Sequence, residues 1–455
     1  MCNCRMKWCR RQLCGIHKSR RNRLRFASVV VVGLLALVVV IRPKNPSKAR
    51  FTRLSKMVIN QHRLLFKELK TKEKIQTSPD PAVYRKRQEQ VRRVCESRNT
   101  SSSSLSMTTF MHRSWFAEEY KLLYCLVPKV GCTFWKRTLQ VLRLHAIGLK
   151  TPFKLLYEQC SSGRRVAIKN IMEAAGGSSD LTSIISERYT KFMFTRDPFE
   201  RLFSAYIDKF LTPNLSFWNL GRIIVDDIRR APMKNYWYGH DVTFSEFIEY
   251  VLTTEDKYLD SHFKPISCIC DVCNVKYNVI GKMETFKTDV FHIISKVNAS
   301  DWLVFKDFKK EATIDTILDI AGKAFQYKED LERYMPFHDI LRRVWRRFKI
   351  ANILDLKERF PLSEQQSRTI AMEDFADVVV TLYKTSEKRD RGSRTAAYIQ
   401  AYRQLTKSSL DKLRNLFSLD FDLFGYDMAG PHLDAMEKEV KDRSALDYDY
   451  YDILR

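Results

Sequence analysis

The sequence predicts an α/β fold, a parallel sheet flanked by helices, with an N-terminal transmembrane helix ahead of it. Two short apolar runs, Lys121–Val127 and Lys191–Thr195, each break at a turn and resume with helical spacing, the pattern of buried parallel strands feeding helices. From about Met107 onward apolar runs alternate with amphipathic segments, as they do in α/β domains. A sixteen-residue uncharged run, Phe26–Ile41, stands apart near the N-terminus.

The 455 residues allow one large domain with appendages, or two to three domains. With 45% hydrophobic and 12% aromatic residues there is material for a sizeable core, and only 14 Gly and 13 Pro exclude a collagen-like or wholly disordered chain. The net charge of +26 is unevenly placed. Residues 1–25 carry nine Lys/Arg and no acid, residues 42–95 sixteen against four, and residues 96–455 hold 54 basic and 49 acidic side chains. The basicity belongs to the N-terminal appendage, which argues against a nucleic-acid-binding enzyme, whose charge would sit on the folded part.

As a helix, Phe26–Ile41 spans about 24 Å, short of a bilayer core but workable when the flanking Arg25 and Arg42 snorkel. A buried soluble element lacks the basic flanks, and a cleaved signal peptide lacks a small-residue cleavage site. An uncleaved signal anchor fits best. Eight Lys/Arg in the twenty residues before the span and six in the twenty after modestly favour a cytoplasmic N-terminus, residues 1–25. Sequons at Asn99, Asn214 and Asn298, all downstream, lean towards a lumenal body. Cys2, Cys4, Cys9 and Cys14 would then be reduced thiols or palmitoylation sites. Seven cysteines follow: Cys95, Cys125, Cys132, Cys160, Cys268, Cys270 and Cys273. A disulfide role suits them better than metal. Their odd number leaves at least one free or paired between chains, which keeps a homo-oligomer open.

Residues 42–106 read as a basic stem, with helix around Leu54–Lys74 and a Ser-rich stretch at 97–106. Residues 107–427 form the lumenal domain, and residues 428–455 an acidic C-terminal tail.

In the first strand-turn-helix unit the run ends at Pro128-Lys129-Val130-Gly131, and Thr133–Leu142 resumes as a helix. A Gly-containing turn there aims free N–H groups and the positive helix end at one point, and Lys129 adds a full charge. The turn makes an anion cradle without the spacing of a magnesium-dependent phosphate loop. In the second unit Asp197 suits an N-cap and Pro198 the first helical turn, so Arg196 falls at the end of its strand, where open α/β sheets bind ligands. Ser204, two turns on, joins it as a phosphate-binding pair.

These two segments, PKVGCTFWKR at Pro128–Arg137 and TRDPFERLFSAYIDKF at Thr195–Phe210, resemble the paired signatures of Golgi carbohydrate sulfotransferases. The chondroitin 4-O-sulfotransferase branch is the most similar. Further echoes are Val242–Phe247, Ser261–Pro265, Val279–Thr285 and Leu419–Tyr426. The resemblance covers roughly residues 110–300 and 400–427. Phe134 departs from it, standing where the family commonly has Asn. So does the stretch from about Phe305 to Lys388, a helical insertion at 305–388 with a basic Arg342–Arg347 segment.

The resemblance implies a P-loop-kinase-like fold and a Golgi membrane enzyme of single-pass type II topology. It implies transfer of sulfate from 3′-phosphoadenosine 5′-phosphosulfate, without a metal, to a glycan or glycosaminoglycan hydroxyl, with GalNAc O-4 of chondroitin the first choice. Lys129, Val130, Gly131, Cys132, Thr133 and Lys136 would line the donor's phosphosulfate, and Arg196 and Ser204 its 3′-phosphate. Lys129 would neutralise the leaving phosphate. His262 is the first candidate for general base, with His240, Glu200 and Glu246 as competitors. Asp197 and Pro198 read as structural, and Trp135 as core. Arg229-Arg230 and Arg342–Arg347 are either a track for an anionic glycan or a solvated face. Two other classes stay open: a type II membrane glycosyltransferase, on the acidic triplets at Asp420–Asp422 and Asp447–Asp449, and a non-catalytic glycan-binding relative, on Phe134.

Overall fold

Both apolar runs become strands with almost every side chain buried, as a strand covered on two faces requires. The computed structural model describes residues 80–98, 113–144, 148–155, 188–229, 239–386 and 392–454, all within one compact unit, Arg50–Arg455. The first half comprises α1 (Pro81–Ser97), β1 (Ser114–Ala117), β2 (Leu122–Cys125), α2 (Cys132–Arg143), β3 (Thr190–Thr195) and α3 (Pro198–Tyr206). There follow α4 (Leu215–Arg229), α5 (Phe244–Thr253), β4 (Val279–Lys282) and α6 (Phe286–Lys296). The remainder is helical: α7 (Phe308–Gln326), α8 (Phe337–Ile350), α9 (Met372–Thr385), α10 (Ser393–Tyr402), α11 (Lys407–Leu416) and α12 (Ser418–Phe424), with shorter turns between.

The sheet runs in the order β1-β2-β3-β4. Strands β2, β3 and β4 are parallel, with Leu123 opposite Lys191 and Phe192 opposite Val279. To the parallel sheet expected, β1 adds a strand that pairs antiparallel with β2, Ser114 opposite Cys125. The connection between them, Glu118–Lys121, turns the chain straight back, and a parallel pair would need a crossover many residues longer. The parallel strands end along one edge, so the segments after β2, β3 and β4 gather there. Beneath them Trp135 is fully buried, its ring 4.5 Å from that of Phe192 and 5.4 Å from that of Phe194. A second core joins α3, α5 and α10 through Phe203, Tyr206, Phe247 and Tyr402.

Two boundaries differ from the sequence reading. Within the stretch expected as stem, 42–106, the described residues 80–98 are packed on the core as α1: Tyr84, Val91 and Val94 are buried, and Arg87 pairs with Asp289 at 2.9 Å. The tail expected at 428–455 is also packed, with Tyr450 fully buried and Tyr451 Oη donating to the Ala397 carbonyl at 2.7 Å. In both cases aromatic residues inside a charged stretch supply the buried surface. Disulfides join Cys95 to Cys273 and Cys125 to Cys270, and Cys132 and Cys268 are free thiols. The sequon asparagine Asn298 is exposed in a left-handed turn, while Asn214 is half-buried at the start of α4. The anchor at 26–41, the cytoplasmic tail at 1–25, Leu54–Lys74, Asn99, Cys160 and Arg230 lie outside the described residues. No helix among the described residues is long and apolar enough to cross a membrane.

The Cys95–Cys273 bond closes 178 residues of chain. Replacing both cysteines by serine is expected to lower unfolding stability by about 2–5 kcal/mol. Denaturant melts of variant and wild type should differ without reductant and coincide with it.

Candidate functional site

The turn after β2 demands unusual backbone. Gly131 has φ +78° and Lys129 φ +69°. A Cβ at position 131 would lie 2.4 Å from the Phe286 ring, so glycine is required by conformation and by space. Gly131 caps α2 without a side chain, which leaves the first-turn amides of Cys132 and Thr133 open to an anion. Val130 is buried and contributes main chain alone.

The turn after β3 supplies the other cations. Asp197 Oδ1 accepts the Glu200 amide at 2.9 Å, capping α3, and Pro198 begins the helix. Burial, with Glu200 and Glu284 nearby, pushes the Asp197 carboxyl up to about 6. Arg196 Nη1 lies 3.5 Å from the Lys129 carbonyl, so the two turns meet. Glu200 Oε2 holds Arg196 at 2.8 Å and Arg394, from α10, at 2.7 Å. Glu200 and Ser204 are four residues apart on α3 and share one face. The chain after Tyr206 widens into a π-helical turn, Ile207–Leu211, that carries Asp208. Asp208 Oδ2 lies 2.9 Å from Lys129 Nζ and 3.2 Å from Lys209 Nζ.

Burial pushes the Lys129 ammonium down to about 8, and Asp208 opposes the shift. Burial would raise the Asp208 carboxyl, but Lys129 and Lys209 outweigh it and hold it well below the carboxylate range. Arg347 turns towards this cluster from α8. Its charge acts on Asp208, Arg394 and Arg196, and burial brings its guanidinium down to about 10.

His262 approaches the same cluster. Its Nδ1 lies 2.6 Å from Asp260 Oδ1, and its own amide donates to that oxygen at 2.8 Å. Burial lowers the imidazole below its ordinary value, Asp260 opposes this, and Lys209 and Lys129 add to it. The Phe217 ring meets His262 edge to face at 5.3 Å, and Lys209 Nζ sits 4.8 Å from the Phe217 centroid.

Arg201, to which the sequence reading gave no role, is 1% exposed. Its Nε donates to the Pro128 carbonyl at 3.1 Å, Nη1 to Lys264 O at 2.7 Å and Nη2 to Ser261 O at 2.7 Å. One guanidinium thus fastens the lysine turn to the histidine segment. Its partners are main-chain oxygens, which leave no mark in the sequence. The only signal is its position four residues after Asp197.

Other candidates have partners elsewhere. Lys136 Nζ lies 5.2 Å over the Trp115 ring on β1. Cys132 keeps a half-buried thiol. Phe134 fills an aromatic cluster with Trp135, Phe153, Phe286, Phe305 and Phe308. His240 sits 5.7 Å from Trp218, and burial pushes it down to about 4. Glu246 completes the capping box of α5 and pairs with Arg229 at 2.6 Å, while Arg229 also holds Asp241. Arg229 therefore fastens two helices and is not part of a solvated track. The Arg342–Arg347 segment is not a uniform face either: Arg342 is exposed, whereas Arg343 is buried with Nη1 on the His240 carbonyl at 2.7 Å. Asp420 accepts the amides of Ile266 and Ser267 at 2.6 and 2.8 Å, and Asp422 pairs with Arg98. That triplet is structural.

The family profile described as "Sulfotransferase family" matches residues 112–347. Human carbohydrate sulfotransferase 9 is 32% identical over 225 residues, 49% of this chain and 48% of that protein. Human carbohydrate sulfotransferase 8 is 30% identical over 266 residues, 56% of this chain and 61% of that protein. Carbohydrate sulfotransferase 11 of Danio rerio is 30% identical over 236 residues, 50% of this chain and 65% of that protein. In each comparison less than two thirds of the relative is spanned. No solved structure gives a significant match.

Arg201→Met would leave three carbonyls without their donor. It is expected to lower stability by about 3 kcal/mol or more, measured by urea unfolding.

Proposed function

The chain belongs to the sulfotransferase family, and from that premise we propose that it is a carbohydrate O-sulfotransferase using 3′-phosphoadenosine 5′-phosphosulfate. The observation that carries this reading is the meeting of the two turns at the carboxyl ends of adjacent parallel strands, Arg196 Nη1 to Lys129 O at 3.5 Å. Such an edge is where open α/β sheets take nucleotides. The residues suit the donor: a cradle closed to any Cβ, open amides at a helix start, and a surplus of buried cations.

The donor supplies an activated sulfuryl group on a phosphate leaving group. Lys129 and the amides of Gly131 to Thr133 neutralise the charge that grows on that phosphate. Arg196 and Ser204 hold the 3′-phosphate, with Arg394 sharing Glu200 beside them. His262 is the general base. With Nδ1 engaged by Asp260, Nε2 is left to take the proton of the acceptor hydroxyl. The lowered imidazole keeps that nitrogen unprotonated at neutral pH. Lys136, beside Trp115, plays a supporting part at most.

The acceptor in this reading is a glycan, with GalNAc O-4 of chondroitin the first choice on the resemblance of the two signatures. Residence in the Golgi membrane as a type II protein is proposed with it.

Incubating the full-length chain with radiolabelled sulfate donor and a panel of desulfated glycans tests the activity, and disaccharide analysis identifies the position. Lys129→Ala is expected to reduce kcat about 100- to 1,000-fold, and His262→Ala at least about 100-fold. The pH profile of kcat/KM should be bell-shaped. Activity rises as His262 loses its proton, below the ordinary imidazole range, and falls near pH 8 as Lys129 loses its own. Transfer that survives Lys129→Ala unchanged would refute the assignment.

A further inference from the structure

The four arginines of Arg342–Arg347 all lie on α8, and three have partners. Arg342 pairs with Asp339 at 3.3 Å. Arg343 donates to the carbonyls of His240 at 2.7 Å and Ile453 at 3.1 Å. Arg346 reaches Asp452 at 2.8 Å and the Asp449 carbonyl. Arg347 differs. Its Nε and Nη1 are shielded from water and have no hydrogen-bond partner among the described residues. Two guanidinium nitrogens in that condition destabilise the ligand-free fold, since their hydration is lost and nothing replaces it.

Its surroundings are predominantly cationic. Arg347 acts electrostatically on Asp208, Arg394, Arg196 and Lys129. Both carboxylates of the cluster are already engaged, Asp208 by Lys129 and Lys209 and Glu200 by Arg196 and Arg394. Lys129, Lys209, Arg196 and Arg394 thus share those two carboxylates, and no ion pair joins Arg347 to either among the described residues. A buried cluster with that imbalance is complementary to an oxyanion of more than one negative charge.

We propose that Arg347 is a donor-binding residue whose unpartnered guanidinium edge receives a phosphate or sulfate oxygen of the nucleotide, between the Lys129 and Arg196 ends of the site. This rests on the sulfotransferase reading above. It also assigns the basic segment a different task from the glycan track expected of it. The planar fork of arginine, with two N–H groups side by side, suits such an oxygen pair better than an ammonium.

The test uses the full-length chain and two probes, adenosine 3′,5′-bisphosphate and adenosine 5′-monophosphate, titrated calorimetrically. Arg347→Met is expected to weaken bisphosphate binding about 10- to 100-fold, and Arg347→Lys to recover only part of the loss. Without ligand, Arg347→Met should melt no lower than wild type, because an unpartnered buried cation has gone. Weaker binding with undiminished stability is the signature that a structural arginine would not give. A loss confined to the bisphosphate places the contact at the 3′-phosphate, and an equal loss for both probes places it on the 5′ side. Unchanged bisphosphate binding in both variants overturns the proposal, as does a rise in acceptor KM with donor affinity intact. Failure of the wild type to bind bisphosphate at all would instead overturn the sulfotransferase reading itself.

Discussion

One buried guanidinium sets the geometry on which the site depends. Arg201 accepts no substitute among neutral side chains, because it satisfies three carbonyls from two segments more than a hundred residues apart in sequence. Pro128 precedes Lys129, and Ser261 and Lys264 bracket His262. The distance between Lys129 and His262 is therefore fixed by a residue that touches neither. That residue sits in the first turns of α3, the helix that also presents Glu200 and Ser204 and runs on into the π-helical turn carrying Asp208. One short helix thereby aligns the lysine turn, the arginine turn and the histidine segment, and a change in its tilt would move all of them together.

The carboxylates on α3 and on the π-helical turn that continues it have a second consequence. Lys129, Lys209, Arg196 and Arg394 would repel one another across a partly desolvated space, and Asp208 and Glu200 make the ligand-free arrangement tolerable. They also hold the cations in place before any ligand arrives, which reduces the entropy lost on binding. The π-helical turn at Ile207–Leu211 is part of this device. It advances Asp208 around the axis, and such widened turns are frequent at functional sites.

What was legible in the sequence was local. Strand, turn and helix around Gly131 and around Asp197-Pro198 could be read because each is specified within about fifteen residues, by apolar runs and capping chemistry. The two cations at the strand ends followed from that. Contacts made at long range were not legible. Helix α1 looked like stem because its surface is basic, and the residues that dock it, Tyr84 on Asp289 and Gln90 on the Asp422 carbonyl, have partners more than two hundred residues away. Arg347 was hidden for another reason. A charge run reads as one face until it is set on a helix, where Arg343 and Arg347 fall four apart beside Ile340, Val344 and Phe348, all buried. Helical phase would have separated those two arginines from Arg342 and Arg346.

The covalent link between α1 and the segment before β4 changes what a protease could do to this protein. A cut anywhere between residues 98 and 113 would break the chain without releasing the amino-terminal piece, since Cys95 stays bound to Cys273. Whatever the first eighty residues are fastened to, the folded body would remain fastened with them until the sulfur bridge is reduced. Shedding of this domain therefore requires either a scission beyond α1 on its amino-terminal side or a reducing environment.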